Sequence, residues 1–372
     1  MSGLYLHIPF CRKRCTYCDF HFSTTFENYR TRLVEAIAKE LALRAHELNV
    51  PMQTVYFGGG TPSILNFSEL ELIFKAIHTH YQLAPDCEIS FEVNPEDINE
   101  ANLLFWKQIG INRLSIGIQT FSDDDLLWMN RAHHVNDGLA GIRLAQSCGF
   151  ENISVDLIYG LPGQSLAAWD ASLNEVFKLG VQHLSAYCLT IEPQTALNHL
   201  VRQKKLQPAD DVLQSEQFLW LVQKAREVGF EQYEISNFAL AGFHSRHNSA
   251  YWKFQPYLGI GPSAHSFDGH TRRWNVRNNT LYTNQVGKND KWFETEQLSA
   301  NERRNEQILL GLRTVWGLNL STLESAWTQK ESAQIAEFAR LNWLTISNES
   351  IVLTEQGKLH ADGIAAALFR VD

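Results

Sequence analysis

The stretch CRKRCTYCDF sets Cys11, Cys15 and Cys18 within one short run near the N-terminus. Thiolates bind zinc and iron–sulfur clusters, and three of them are an odd number for disulfides and one short of a closed tetrahedral site. Structural zinc takes four protein ligands. No fourth cysteine or paired histidine follows closely, although His7 and His21 flank the run and offer imidazole nitrogen. A four-iron cube is normally held by four thiolates, so three would leave one iron open to an external ligand. Both metal readings stand on the cysteines alone. Cys87, Cys148 and Cys188 lie scattered beside apolar residues and read as small buried hydrophobes.

Other residues able to do chemistry sit at matching places. GGGTP, Gly58 to Pro62, directly follows an apolar run, and glycines there let backbone groups approach a ligand closely. Glu92 closes FEV, Gln119 closes SIGIQ with Arg131 shortly after, and Asp156 lies in VDLIYGLPGQ. Taken singly, each is an ordinary polar residue at the end of an apolar segment. Together they supply carboxylates and an amide for hydroxyls or an ammonium, and a guanidinium for a carboxylate.

The elements that must position them follow from the alternation of β-rich and helix-period segments, which predicts a parallel sheet with crossover helices. Strands are expected at 4–8, 54–57, 88–93, 113–118, 153–158 and 183–189. Leu33, Ala36, Ile37, Glu40 and Leu41 share one helical stripe, and Ser68 with Glu71 reads as a capping box. The cysteine run then falls at the C-terminal end of the first strand, where βα barrels carry their chemistry. The fold expected is α/β, a partial (β/α)6 TIM-like barrel over 1–200 and an extension over 201–295 with a long helix near 210–228. The aromatic, glycine-rich part of that extension, 233–292, shows little regular period. A C-terminal module over 296–372 is expected to set helices around a two-stranded wing, like a winged helix.

Composition narrows the function. The 372 residues are 44% hydrophobic with a net charge of -9, which supports a large core and gives no basic footprint for nucleic acid. The opening MSGLYLHIPF has no cationic start with a long apolar run behind it, so neither a signal peptide nor a membrane span is expected, and the location expected is cytoplasmic.

The segments YLHIPFCRKRCTYCDF, YFGGGTPS, EVNPE, RLSIGIQTF and DLIYGLPGQ resemble the radical S-adenosylmethionine (radical SAM) superfamily, and within it the coproporphyrinogen III dehydrogenase-like branch, over essentially the whole chain. The resemblance implies a [4Fe-4S] cluster on Cys11, Cys15 and Cys18, with the amino and carboxylate groups of S-adenosylmethionine on the remaining iron. It places Tyr5, Gly59, Gly60, Thr61, Glu92, Gln119, Arg131 and Asp156 on cofactor-contacting positions. The chemistry implied is one-electron cleavage of the sulfonium to a deoxyadenosyl radical, with the cofactor carrying the difficult step. No side chain is assigned a catalytic role of its own.

Two departures shift the reading within that branch. Phe20 stands where the dehydrogenase motif continues to a fourth cysteine, and only ten residues precede Cys11. With HNSAYW, His247 to Trp252, these features resemble HemW, a family of haem chaperones. That implies haem as a ligand, haem-accepting proteins as partners, an electron donor if the cluster is reduced, transient membrane association and no nucleic acid. His247 beside Tyr251, Trp252, Phe254 and Tyr257 is the expected axial ligand, with His244 and His265 as substitutes. The alternatives are an oxygen-independent coproporphyrinogen III dehydrogenase and, on weaker grounds, a tRNA-modifying radical enzyme.

Overall fold

Short apolar runs with alternating inner and outer residues become strands because each can bury one face against helices. The computed structural model describes residues 3–48, 50–323 and 325–371. Strands β1 (Gly3–Ile8), β2 (Met52–Gly59), β3 (Leu83–Val93), β4 (Arg113–Gln119), β5 (Ile153–Tyr159) and β6 (His183–Cys188) pair in that order, all parallel. Between them run α1 (Arg30–Leu43), α2 (Phe67–His80), α3 (Glu100–Gln108), α4 (Asp123–Trp128), α5 (Val135–Ser147) and α6 (Leu166–Lys178). In β1, Leu4, Leu6 and Ile8 are buried in the core shared with the helices, whereas Tyr5 and His7 alternate to the inner face. That inner face is polar on every strand: Thr54, Ser90, Ser115, Ser154 and Ser185 are all buried.

The capping box of α2 sits two residues earlier than the sequence suggested. Asn66 accepts from the amide of Glu69 at 2.9 Å, and Glu69 accepts from the amide of Asn66 at 2.8 Å. Glu69 is also gripped by Arg30 at 2.6 Å, a tertiary contact that fixes the helix start at Asn66 rather than Ser68.

The sheet continues past the six strands. After α7 (Ala196–Arg202) and α8 (Asp211–Glu227), β7 (Glu231–Gln232) and β8 (Asn237–Ala239) extend it antiparallel beyond β6. The chain then crosses through α9 (Arg246–Trp252) to the far edge, where β9 (Tyr257–Ile260) lies parallel to β1. β10 (His265–Phe267), β11 (Thr271–Asn275), α10 (Asn279–Gln285) and β12 (Phe293–Gln297) complete a 12-stranded sheet. The region expected to show little regular period, 233–292, therefore holds β8, β9, β10 and β11, with the outermost strands β7 and β12 just outside it, all too short to show a period.

One buried knot ties the late strands to α1. Glu40, fully buried, pairs with Arg44 at 3.0 Å and accepts from the Gly261 amide, Asn275 and the Tyr282 hydroxyl. The predicted stripe position of Glu40 is met, but as a charged hub rather than as apolar filling.

The C-terminal module has its own core, around Ile308, Leu312, Ile335, Leu344, Ile351 and Ile364. It comprises α11 (Ala300–Leu312), β13 (Leu318–Asn319), α12 (Gln329–Arg340), β14 (Leu344–Ile346), β15 (Ser350–Leu353), α13 (Glu355–Lys358) and α14 (Ala361–Ala367). Its sheet has three strands in the order β13-β15-β14, one more than the two-stranded wing expected. Among the described residues no helix is long and apolar enough to cross a membrane.

Candidate cofactor site at the barrel mouth

The cysteine loop leaves β1 at its C-terminal end and is pinned by ordinary hydrogen bonds. The Cys11 amide donates to Ser23 O at 3.1 Å, the Thr16 amide to Met129 O at 3.1 Å, and Asn130 Nδ2 to Arg14 O at 2.8 Å. Arg12 reaches the buried Asp97 at 2.6 Å, and Asp97 also accepts from Ser63. All three thiols are half-buried and free. Burial pushes the Cys11 thiol up to about 12 and the Cys18 thiol up to about 11, so metal loading must displace protons there. Two donors point at the sulfurs: Thr61 Oγ1 at 3.4 Å from Cys11 Sγ, and Arg131 at 3.6 Å from Cys15 Sγ.

The glycine loop lies beside them for a steric reason. A Cβ on Gly60 would stand 2.7 Å from Phe10 O and 2.8 Å from Ile8 O, and its amide donates to Ile8 O at 2.9 Å. Gly59 has φ +107, and a Cβ there would meet the His7 ring at 2.6 Å. Larger residues would push this backbone off the thiol loop.

The remaining polar residues converge from successive strand ends. Arg131 donates to Asn94 Oδ1 and to Gly117 O, both at 2.8 Å, while its buried Nε has no partner among the described residues. Asn94 also donates to Thr61, which couples the guanidinium to the glycine loop. Gln119 holds φ +70 at a register shift between β4 and β5, a bulge that re-aims a side chain at a strand end. Asp156 accepts from Ser115 at 3.1 Å; burial raises its pKa, while Ser185, Arg113 and Ser115 pull the other way. Glu92 accepts from the Tyr56 hydroxyl at 2.8 Å, and burial lifts its carboxyl to about 7.

One cavity of about 1040 Å³ takes in Cys11, Cys15, Cys18, Gly59, Gly60, Thr61, Glu92, Gln119, Arg131 and Asp156. Tyr5 is not part of its wall. Its hydroxyl donates to His7 Nδ1 at 3.1 Å, and His7 Nε2 donates to His21 O at 2.8 Å, so Tyr5 braces the cysteine loop from below. Sequence reasoning did not single out Asn94, although EVNPE contains it. It also gave no sign of the C-terminal wall of the cavity, which includes Arg313, Trp343, Lys358 and His360.

The donor set fits a cluster with one ligand position left to a small molecule. Three thiols share a wall with an orphaned guanidinium nitrogen, a close-approach glycine loop and two carboxylates. Among the described residues no three His, Cys, Asp or Glu side chains are gathered around one metal position.

The structure does not bring His247 to this cavity. The Nδ1 of His247 is 2.9 Å from Thr54 Oγ1, and its ring lies against Tyr56 and beside Gly3, at the start of β1. The five residue steps from Gly3 to Ile8 put the thiol loop roughly 16 Å further along the strand. Burial presses the imidazole pKa down to about 4. Tyr251, Trp252, Phe254 and Tyr257 are likewise outside the cavity wall, as are His244 and His265.

The chain is similar to known proteins over most of its length. A family model for the radical SAM superfamily matches residues 5–176, and one for the HemN C-terminal domain matches residues 298–360. The chain is 32% identical to the haem chaperone HemW of Bacillus subtilis, covering 99% of both chains. It is 35% identical to HemW of Mycobacterium tuberculosis, over 98% of this chain and 94% of that one. The mitochondrial radical S-adenosyl methionine domain-containing protein 1 of Bos taurus is 33% identical, over 97% of this chain and 82% of that one. Among solved structures, coproporphyrinogen III oxidase (HemN) from Escherichia coli shares the fold, with a TM-score of 0.84 at 23% identity, covering 99% of this chain and 90% of that one.

Proposed function

The chain belongs to the HemW family of the radical SAM superfamily, and on that premise we propose that it is a haem chaperone that carries a [4Fe-4S] cluster with S-adenosylmethionine and passes haem to acceptor proteins. The observation that carries the reading is the continuous cavity that joins the cysteine loop to the C-terminal module.

In this reading Cys11, Cys15 and Cys18 hold the cluster, and the methionine amino and carboxylate groups complete it. When bound, the cluster supplies an electron to the sulfonium. The chain's own residues bind and orient. Arg131, with a free Nε and its Nη2 fixed by Asn94 and Gly117, pairs with the methionine carboxylate. Gly59 and Gly60 let backbone groups meet the ammonium, and Thr61 steadies Cys11. Glu92, Gln119 and Asp156 accept from ammonium and ribose hydroxyls. Phe20, 67% exposed at the cavity rim, stands where the dehydrogenase motif has its further cysteine, which favours carriage over porphyrinogen oxidation. Haem-accepting proteins, an electron donor, a transient membrane contact and a cytoplasmic location complete the proposal.

Anaerobic reconstitution with iron and sulfide, followed by haemin titration with and without S-adenosylmethionine and reductant, tests it. Stoichiometric haemin binding and its transfer to an apo-haem protein support the chaperone. Protoporphyrinogen formed from coproporphyrinogen III would assign the enzyme reading instead. Failure to bind haemin would overturn the chaperone reading.

A further inference from the structure

We propose, resting on the haem-chaperone reading, that the C-terminal wall of the mouth cavity is the haem subsite, with His360 as axial ligand and Arg313 and Lys358 as partners of the propionates. Haem asks three things of a protein: flat apolar surface for the macrocycle, cations for two carboxylates, and a nitrogen or sulfur ligand for iron. All three occur on this wall, on elements that follow one another in the C-terminal module.

His360 is the one histidine among the described residues lining the cavity. It is exposed, and neither ring nitrogen has a hydrogen-bond partner among the described residues. Its ring stacks on Trp343 at 4.3 Å between centroids and 29° between planes, and Trp343 stacks in turn on Phe338 at 5.8 Å. An axial imidazole gives its edge to iron and leaves its faces free to be packed. Trp343 packs one face, so the ring is oriented before any ligand arrives.

The cations are placed by neighbouring elements. Lys358, at the end of α13, is half-buried with its ammonium 2.7 Å from Gln232 Oε1. Arg313, at the end of α11, donates to the exposed Asp362 at 3.0 Å, keeps a buried Nε without a partner, and stands 5.5 Å from the Trp252 ring centroid. That last contact ties the HNSAYW segment to the cavity through its tryptophan rather than its histidine. Across from this wall, Ile158 and Leu189 offer apolar surface. At about 1040 Å³ the cavity slightly exceeds the roughly 300–1,000 Å³ usual for a single ligand, leaving the cysteine side for the cluster and its cofactor.

The test uses the full-length, cluster-reconstituted protein and haemin, read by absorption and electron paramagnetic resonance. The His360→Ala variant is expected to lose the nitrogen-ligated signature, to bind haemin at least tenfold more weakly, and to regain the signature with added imidazole. His247→Ala should leave the haem spectrum unchanged. The double variant R313Q/K358Q should weaken haemin binding but not binding of haemin dimethyl ester, which lacks the free carboxylates. Because His360 is exposed, iron content and circular dichroism of H360A should match wild type. Wild-type binding with H360A unchanged in spectrum and affinity would overturn the assignment while leaving the chaperone reading intact. No haemin binding by wild type would remove both.

Discussion

The two ends of one barrel are built from the same strands and differ in almost every physical respect. At the mouth, thiols stand half-buried and free, Arg131 keeps a nitrogen unpaired, and a large cavity separates the strand ends from the C-terminal module. At the floor, α9 is drawn in tightly. The amides of Arg246 and His247 donate to Glu88 at 3.0 and 3.2 Å, His247 meets Thr54, and His183 is held between Ser154 at 2.7 Å and Tyr233 at 2.8 Å. A parallel barrel leaves chemistry at its strand C-termini and closure at its N-termini. HNSAYW, which in the sequence looks like a ligand motif, belongs to the closing end.

The comparison breaks most visibly at the thiols. Replacing Cys15 by alanine should reduce bound iron and sulfide after reconstitution to background while the melting temperature of the metal-free protein barely moves, because that half-buried sulfur lies outside the hydrophobic cores and meets the Arg131 guanidinium at 3.6 Å. A variant that still held a full cluster would show that the loop is not the ligand set.

At the floor the opposite pattern is expected. Glu88→Ala leaves two helix amides without their acceptor in a buried setting, a loss of roughly 2–3 kcal/mol. Denaturant unfolding should show that loss with S-adenosylmethionine affinity unchanged. Equal damage to both readouts would mean that the two ends are not separable.

Gly60→Ala sharpens the mouth side. The added Cβ meets two backbone oxygens that cannot rotate away, so the glycine loop must shift. Affinity for S-adenosylmethionine, measured by calorimetry on the reconstituted protein, should fall by about tenfold or more, ~1.4 kcal/mol. Iron content should persist, since Cys11 and its neighbours are anchored by their own hydrogen bonds.

Legibility in the sequence follows the same division. The six parallel strands announce themselves because each is a β-rich run long enough to read, and the polar residues that end them sit next to recognisable turns. The short outer strands do not, since Glu231–Gln232 and His265–Phe267 are too short to alternate visibly and exist only through their pairing, the first with β8 and the second with β9 and β11. The cysteine and glycine loops are local signals. The C-terminal wall is not: Trp343 and His360 lie more than 300 residues beyond the cysteines in the chain, and only the docking of the module onto the barrel puts them in one cavity. The place of His247 was illegible for a related reason. An imidazole beside aromatic residues has the composition of a haem pocket and of a polar plug alike, and only the register of β1 against β2 shows which end it occupies.

The smallest effect compares the two ends by proton linkage, and the signs are opposite. Glu92 at the mouth has its pKa raised by burial to about 7 from an ordinary 4.5. The folded state therefore holds a proton that the unfolded chain releases, and stability of the cofactor-free protein falls as pH rises from about 4.5 to 7. His247 at the floor is depressed by burial to about 4 from 6.5. Here the unfolded chain binds the proton first, so stability falls as pH drops from about 6.5 to 4. Both groups are only partly buried, which keeps each contribution on the order of 1 kcal/mol. Glu92→Gln should flatten the decline towards neutral pH and leave the acid limb intact. His247→Gln should flatten the acid limb alone, because its partner is the non-titrating Thr54 hydroxyl. Urea midpoints measured across pH 4 to 8 distinguish the two, and a single variant that altered both limbs would show that Tyr56, hydrogen-bonded to Glu92 and lying against the His247 ring, couples mouth and floor into one titrating unit.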